Sequence, residues 1–192
     1  MQEVNELHGR QAAGDQLFVL SGCSSSGKST LLEALAQHGE AVSAEPGRLI
    51  VKQQLRLSGD GLPWLNRQRF IDLCAAHAIR EFDRHVSQPG RVFFDRGFID
   101  VASAVEHTGL VAPDSLRQAL QSRRYAPRVF MSPPWEALFL QDDQRRHTFR
   151  DAVAEYDMLV PTYRRHGYEI VFLPQVSVPE RVSFVRSAVA KG

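Results

Sequence analysis

The amino-acid sequence predicts an α/β domain built on a parallel sheet, and three observations predict it. Five short apolar segments alternate with helix-forming ones. The octapeptide GCSSSGKS, Gly22 to Ser29, matches the phosphate-loop pattern G-x-x-x-x-G-K-(S/T) and lies between the first apolar segment and a helix-forming stretch. A second apolar run, Val92-Phe93-Phe94, ends on Asp95 roughly seventy residues after that loop. A carboxylate at such a strand end faces a phosphate loop.

The elements follow in order. Residues 1–16 are polar, lack an apolar signal core and read as an N-terminal extension; residues 17–192 read as one domain. The first strand is expected over Leu17–Ser21. The helix after the loop carries Leu31, Leu32, Ala34, Leu35 and Ala36 and ends near Gly39. A second strand covers Ala41–Ala44 and runs into Glu45-Pro46-Gly47-Arg48, read as a turn. A long helix is expected from Pro63, with Phe70, Cys74, His77, Ala78, Phe82 and Val86 on its inner face. It ends before Gln88-Pro89-Gly90.

The third strand is Val92–Asp95. Helices follow from Phe98 to about Glu106 and, after Pro113, from Asp114 to Ser122. The fourth strand is Arg128–Ser132. A helix is expected from Asp142 on the spacing of Phe149, Val153, Tyr156 and Tyr163, with a kink or restart at Pro161 and a stop at Gly167. Glu169–Leu173 forms the fifth strand, and Val178–Ala190 the last helix.

Bulk properties narrow the function. The chain has 192 residues, 43% hydrophobic and 23% charged, as in ordinary globular proteins. The net charge of +1 supplies no field for nucleic acid or an anionic membrane, so neither is expected as a partner. No apolar run reaches the length of a membrane span. Cys23 and Cys74 have neither disulfide nor metal spacing and read as reduced thiols of a cytoplasmic protein. His77, His107 and His147 share no ligand spacing.

The chemistry begins at the loop. Strand, glycine-rich turn and helix N-terminus make an anion cradle, because successive N–H groups converge on phosphate oxygens. Gly22, Cys23, Ser24, Ser25, Ser26, Gly27, Lys28, Ser29 and Thr30 are the expected nucleotide-binding residues. Lys28 reaches the terminal phosphates and Ser29 ligates Mg²⁺. With only three lysines in the chain, chance would produce the pattern in roughly one such chain in a thousand.

Asp95 either holds Mg²⁺ with Ser29 or caps the following helix and pairs with Arg96. An acid followed by arginine is frequent in small-molecule kinases, where the arginine binds acceptor or phosphate. Glu45 either takes a proton from an acceptor hydroxyl or pairs with Arg48 at the surface. Arg146 and Arg150, four apart after the fourth strand, either close as a lid over the phosphates or are surface charges, Arg146 pairing with Asp142. Trp135 reads as a packing anchor or a wall of the substrate cleft.

The chain resembles an AAA-type family of predicted ATPases that includes the ribosylnicotinamide kinase domain of bacterial NAD regulators. More distantly, it resembles nucleoside and nucleotide kinases. The likeness runs from about Leu17 to Ala188. It rests on GCSSSGKST, on Ala44-Glu45-Pro46-Gly47-Arg48, on Phe94-Asp95-Arg96-Gly97 with Asp100, and on Pro133-Pro134-Trp135-Glu136 followed by Asp143, Arg145 and Arg146. Gly167-Tyr168-Glu169 and Leu173-Pro174 add to it.

The resemblance implies a three-layer fold with strand order 2-3-1-4-5, a lid within about residues 133–150, and ATP or GTP bound with Mg²⁺. It assigns Gly27, Lys28, Ser29 and Thr30 to phosphate and metal, and Asp95 to the metal or acceptor side. The expected function is transfer of the γ-phosphoryl group to a small-molecule acceptor of nucleoside or nucleotide type. The alternative is a stand-alone NTPase or a nucleotide-dependent switch. The acceptor, the choice of nucleotide and the oligomeric state are not written in these motifs.

Overall fold

The computed structural model describes residues 14–139 and 148–190. Its elements are β1 (Leu17–Gly22), α1 (Lys28–Gln37), β2 (Ala41–Ser43), α2 (Pro46–Arg56), α3 (Arg67–Val86), β3 (Val92–Asp95), α4 (Phe98–Thr108), α5 (Asp114–Ser122), β4 (Arg128–Ser132), α6 (Phe149–Arg165), β5 (Glu169–Phe172) and α7 (Val178–Ala190). A short 3₁₀ turn, Glu136–Leu138, follows β4. The strands form one parallel sheet in the order β2-β3-β1-β4-β5, as expected.

Period-two alternation divides the core between the two faces of the sheet. Leu17 and Val19 of β1, with Val92, Phe94, Val129 and Met131, pack against α3, α4 and α6. Phe18, Leu20, Phe93 and Phe130 point to the other face and pack against α1 and α7. There the Phe18 and Phe93 rings stack at 5.5 Å. On the first face Tyr125 meets the rings of Phe82, Phe94 and Phe98 at 5.0, 5.3 and 4.7 Å. Gly97 is required beside it, since a Cβ there would fall 2.8 Å from the Tyr125 ring.

Three expectations about the elements need correction. Pro46 and Gly47 do not end in a turn: Pro46 is the first residue of α2, where its missing N–H costs nothing and its φ suits a helix. The long helix starts at Arg67, not Pro63, because the Asn66 side chain accepts from the Arg69 N–H at 3.1 Å and caps it. The helix read from Asp142 begins at Phe149. Thr148 and Asp151 cap it reciprocally: the Asp151 N–H donates to Thr148 Oγ1 at 3.2 Å, and the Thr148 N–H donates to Asp151 Oδ2 at 2.8 Å. It then runs through Pro161 as one element to Arg165.

Among the described residues, no helix is long and apolar enough to cross a membrane.

Candidate active site

The loop between β1 and α1 is held open by its own backbone and by β4. Gly22 has φ +131°, and a Cβ there would lie 2.2 Å from the Ser132 carbonyl oxygen, so β1 and β4 approach closely only because this residue is glycine. Ser132 Oγ donates to the Ser26 carbonyl at 2.8 Å, and Ser26 Oγ donates to the Cys23 carbonyl at 2.9 Å. Ser25 and Gly27 sit in the left-handed region at φ +60° and +78°. Together they turn the chain into α1, whose N-terminal N–H groups and dipole face the loop.

Lys28 is 6% exposed and folds back over the loop. Its Nζ donates to the carbonyls of Gly22 at 2.9 Å and Cys23 at 2.6 Å, and to Ser26 Oγ at 3.3 Å. Burial is the main reason the Cys23 thiol titrates high, against the lowering pull of Lys28. Thr30 lies exposed one turn into α1.

Asp95, at the end of β3, lies across from the loop. Ser29 Oγ donates to its Oδ2 at 3.3 Å. The other oxygen, Oδ1, is buried with no hydrogen-bond partner among the described residues, and Asp95 is 4% exposed. Burial pushes this carboxyl up and Glu45 adds to the rise, against the pull of Lys28, Arg96 and the Ser29 hydroxyl. Asp95 does not cap α4. The Gly97 N–H donates instead to Asp100 Oδ2 at 2.8 Å. An orphaned carboxylate oxygen beside a serine hydroxyl and a phosphate loop is the donor set that Mg²⁺ takes, with phosphate and water completing its shell. Among the described residues no cluster of three or more acids, histidines or cysteines suits a metal.

Arg96 adopts φ +67°, a strained conformation for a side chain of its size. The turn aims its guanidinium at three carboxylates. Nη2 reaches Glu155 at 2.7 Å, Nε lies 3.4 Å from Glu45, and Nη1 lies 3.6 Å from Asp100. Burial opposes the charge, but Glu155, Glu45 and Asp100 outweigh it and hold the guanidinium protonated well above its ordinary range.

Asp100 anchors the cluster from below. Ser21 Oγ donates to Asp100 Oδ1 at 2.6 Å, and the Tyr163 hydroxyl donates to Oδ2 at 2.5 Å. Glu155 also accepts from the Ser24 N–H at 3.1 Å, which ties α6 to the phosphate loop. Burial pushes the Glu155 carboxyl up, yet Arg96, Lys28 and these hydrogen bonds prevail and hold it below the usual carboxylate range. Sequence reading did not single out Glu155. Its one local signal was the inward helical phase it shares with Ala152, Leu159 and Tyr163.

These groups line an open cleft of about 280 Å³. Ser24, Glu45, Arg48, Arg96, Asp100 and Glu155 form its polar wall, and Phe70, Ile71, Cys74 and Val101 its apolar one. Glu45 pairs with Arg48 Nε at 3.7 Å, the ion pair foreseen for it, and also with Arg96, a partner the sequence reading did not give it. Burial, helped by Glu45, pushes the Cys74 thiol up to about 12, so it acts as a small hydrophobe. Trp135 does not line the cleft; it lies beside Arg181 of α7. Arg150 is exposed on the first turn of α6. Arg146 lies outside the described residues.

A family model for the AAA domain matches residues 17–181, and the chain belongs to that family. No curated protein sequence matches it. Its fold is similar to several solved structures. The NadR protein in complex with NR shares 16% identity at a TM-score of 0.67, over 93% of this chain and 51% of that one. This chain thus spans about half the length of that protein. Thymidylate kinase from Ehrlichia chaffeensis shares 16% identity at 0.56, over 92% and 99% of the two chains. Deoxyadenosine kinase from M. mycoides, solved with dCMP and dCDP, shares 10% at 0.52, over 91% and 98%. At these identities the likeness establishes the fold.

Proposed function

We propose that this AAA-family protein is a Mg²⁺-dependent kinase that moves the γ-phosphoryl group of ATP or GTP to a small-molecule acceptor of nucleoside or nucleotide type. The observation that carries the reading is the position of Asp95. It accepts from Ser29 of the phosphate loop and lies within the electrostatic reach of Glu45 and Arg96, which wall the cleft with Glu155. A loop that only hydrolyses or only switches has no need of a walled cleft beside its phosphate end.

The residues divide the work. The N–H groups of Gly22–Thr30 and the N-terminus of α1 bind the phosphates. Lys28 exchanges its bonds to the Gly22 and Cys23 carbonyls for terminal phosphate oxygens. Ser29 and Asp95 would hold Mg²⁺, which when bound would supply neutralisation of phosphate charge. Glu45 accepts the proton of an acceptor hydroxyl as the new O–P bond forms and the bond to the leaving diphosphate breaks. Arg96, held by three carboxylates, orients the acceptor. Arg150, on the first turn of α6, and Arg146 are proposed for the lid.

The test is nucleotide consumption with Mg²⁺, alone and against nucleosides, nucleoside monophosphates and NR, the compounds named for its structural neighbours. Stimulation by one acceptor, with a product heavier by one phosphoryl group, is the expected result. Hydrolysis indifferent to every acceptor would transfer the site to a stand-alone NTPase or a switch read by a protein partner.

A further inference from the structure

Arg181, on the first turn of α7, is 3% exposed. A guanidinium so covered is ordinarily paired with a carboxylate, because a buried, unpaired charge is costly. Among the described residues no carboxylate lies within ion-pair distance of Arg181. Its Nε is buried with no hydrogen-bond partner among the described residues. Its Nη1 reaches only the Gly27 carbonyl, at a long 3.4 Å. Its Cζ lies 5.5 Å from the Trp135 ring centroid. Burial acts alone on its charge and lowers its pKa.

The location makes the charge more costly still. The guanidinium lies against Gly27, the left-handed residue that opens α1, and a Cβ there would fall 2.9 Å from Nη1. The loop's own glycine makes room for the cation. The neighbouring N-terminus of α1 carries positive partial charge and repels it. A buried cation with no carboxylate partner among the described residues, set beside a helix N-terminus and a phosphate loop, is arranged for an anion that enters that loop.

Its direction of approach says which part of the anion it meets. The cleft of Glu45, Arg96 and Glu155 opens on the face of the sheet covered by α3, α4 and α6. Arg181 comes from the opposite face, where α7 packs on α1. We propose that Arg181 is a nucleotide-binding residue whose guanidinium donates to a phosphate that stays with the diphosphate product, not to the phosphate that is transferred. The proposal rests on the phosphate loop being a nucleotide site. A planar guanidinium suits such a group because its N–H fork matches two phosphate oxygens.

The test needs no acceptor. Trp64 is 60% exposed and Trp135 lies beside Arg181, so in a Trp64→Phe background the protein's tryptophan emission reports on the Arg181–Trp135 contact. ADP and GDP are titrated into this protein and into its Arg181→Met and Arg181→Lys variants. Methionine keeps the length and removes the charge. Affinity for both diphosphates is expected to fall roughly ten- to a hundredfold in Arg181→Met, with partial recovery in Arg181→Lys. The melting temperature without nucleotide is expected to hold or rise, since an apolar replacement relieves an unpaired charge.

Unchanged affinity in a folded Arg181→Met protein would overturn the proposal, as would a lower melting temperature with intact affinity, which marks a structural residue. Loss confined to one of ADP and GDP would also overturn it, because the contact would then lie on the base. If the unsubstituted protein binds neither diphosphate, with or without Mg²⁺, the nucleotide reading itself fails.

Discussion

The phosphate loop is built from nine consecutive residues, Gly22–Thr30, whereas the cleft beside it takes Glu45, Arg96 with Asp100, and Glu155 from three separate stretches of chain. The loop works through backbone: N–H groups, left-handed turns at Ser25 and Gly27, and a helix dipole. The cleft works through side chains that neutralise one another around Arg96. A backbone cradle accepts any polyphosphate, because phosphate oxygens look alike. A side-chain cluster has a shape and a charge pattern, so selectivity for the acceptor belongs on that side. Ser24, whose N–H donates to Glu155, and Asp95, which accepts from Ser29, are the two points where the halves touch.

This contrast is broken most directly at Lys28. Its Nζ serves only loop atoms here, so Lys28→Ala should remove both ground-state and transition-state contacts to the terminal phosphates. Turnover is expected to fall about 10³-fold, with weaker nucleotide binding and an intact fold by circular dichroism. Unchanged turnover would remove the loop from the chemistry. Asp95→Asn stands at the junction and should divide the two properties. Nucleotide binding without Mg²⁺ should persist, while Mg²⁺-dependent turnover falls by about 10²-fold. A titration with and without Mg²⁺ beside a rate measurement separates them. Equal loss of both would make Asp95 part of the cradle.

The same contrast explains what could be read from the sequence. The loop was legible because the residues that form its cradle are consecutive, even though Ser132 and Glu155 hold it from distant parts of the chain. The five strands were legible because each is a short apolar run and a parallel sheet is buried on both faces. Asp95 and Arg96 were legible because they end such a run. Glu155 was not. It lies 131 residues from Ser24 and 59 from Arg96, in the interior of a helix, and its inward helical phase alone does not say what it meets. Arg181 was hidden for the same reason, being 154 residues from the Gly27 carbonyl it faces. Pro46 was misread because Glu-Pro-Gly is turn-like in composition, while proline at the first helical position satisfies the same local rules.

The smallest expected effect lies at Glu155, and it tests whether the cleft is held together by charge. Protein crowds the residue, yet 36% of its side-chain surface opens to the cleft, so its pair with Arg96 is partly screened. Arg96 also keeps Glu45 and Asp100 when Glu155 is removed. Glu155→Gln, which retains an acceptor for the Ser24 N–H, should therefore cost about 1 kcal/mol at neutral pH, or a drop of about 2–4 °C in melting temperature. The sign of its pH dependence follows from the depressed native carboxyl. A group that holds its proton less tightly when folded stabilises the fold above its unfolded pKa of about 4.3 and loses that contribution as pH falls through the lower native value. The gap between the two melting temperatures should accordingly be constant from pH 7 to about pH 5 and close on further acidification. A gap that persists into acid would mean that the charge of Glu155 is not the source of the difference. Arg96 would then be held in its strained conformation by Glu45 and Asp100 alone.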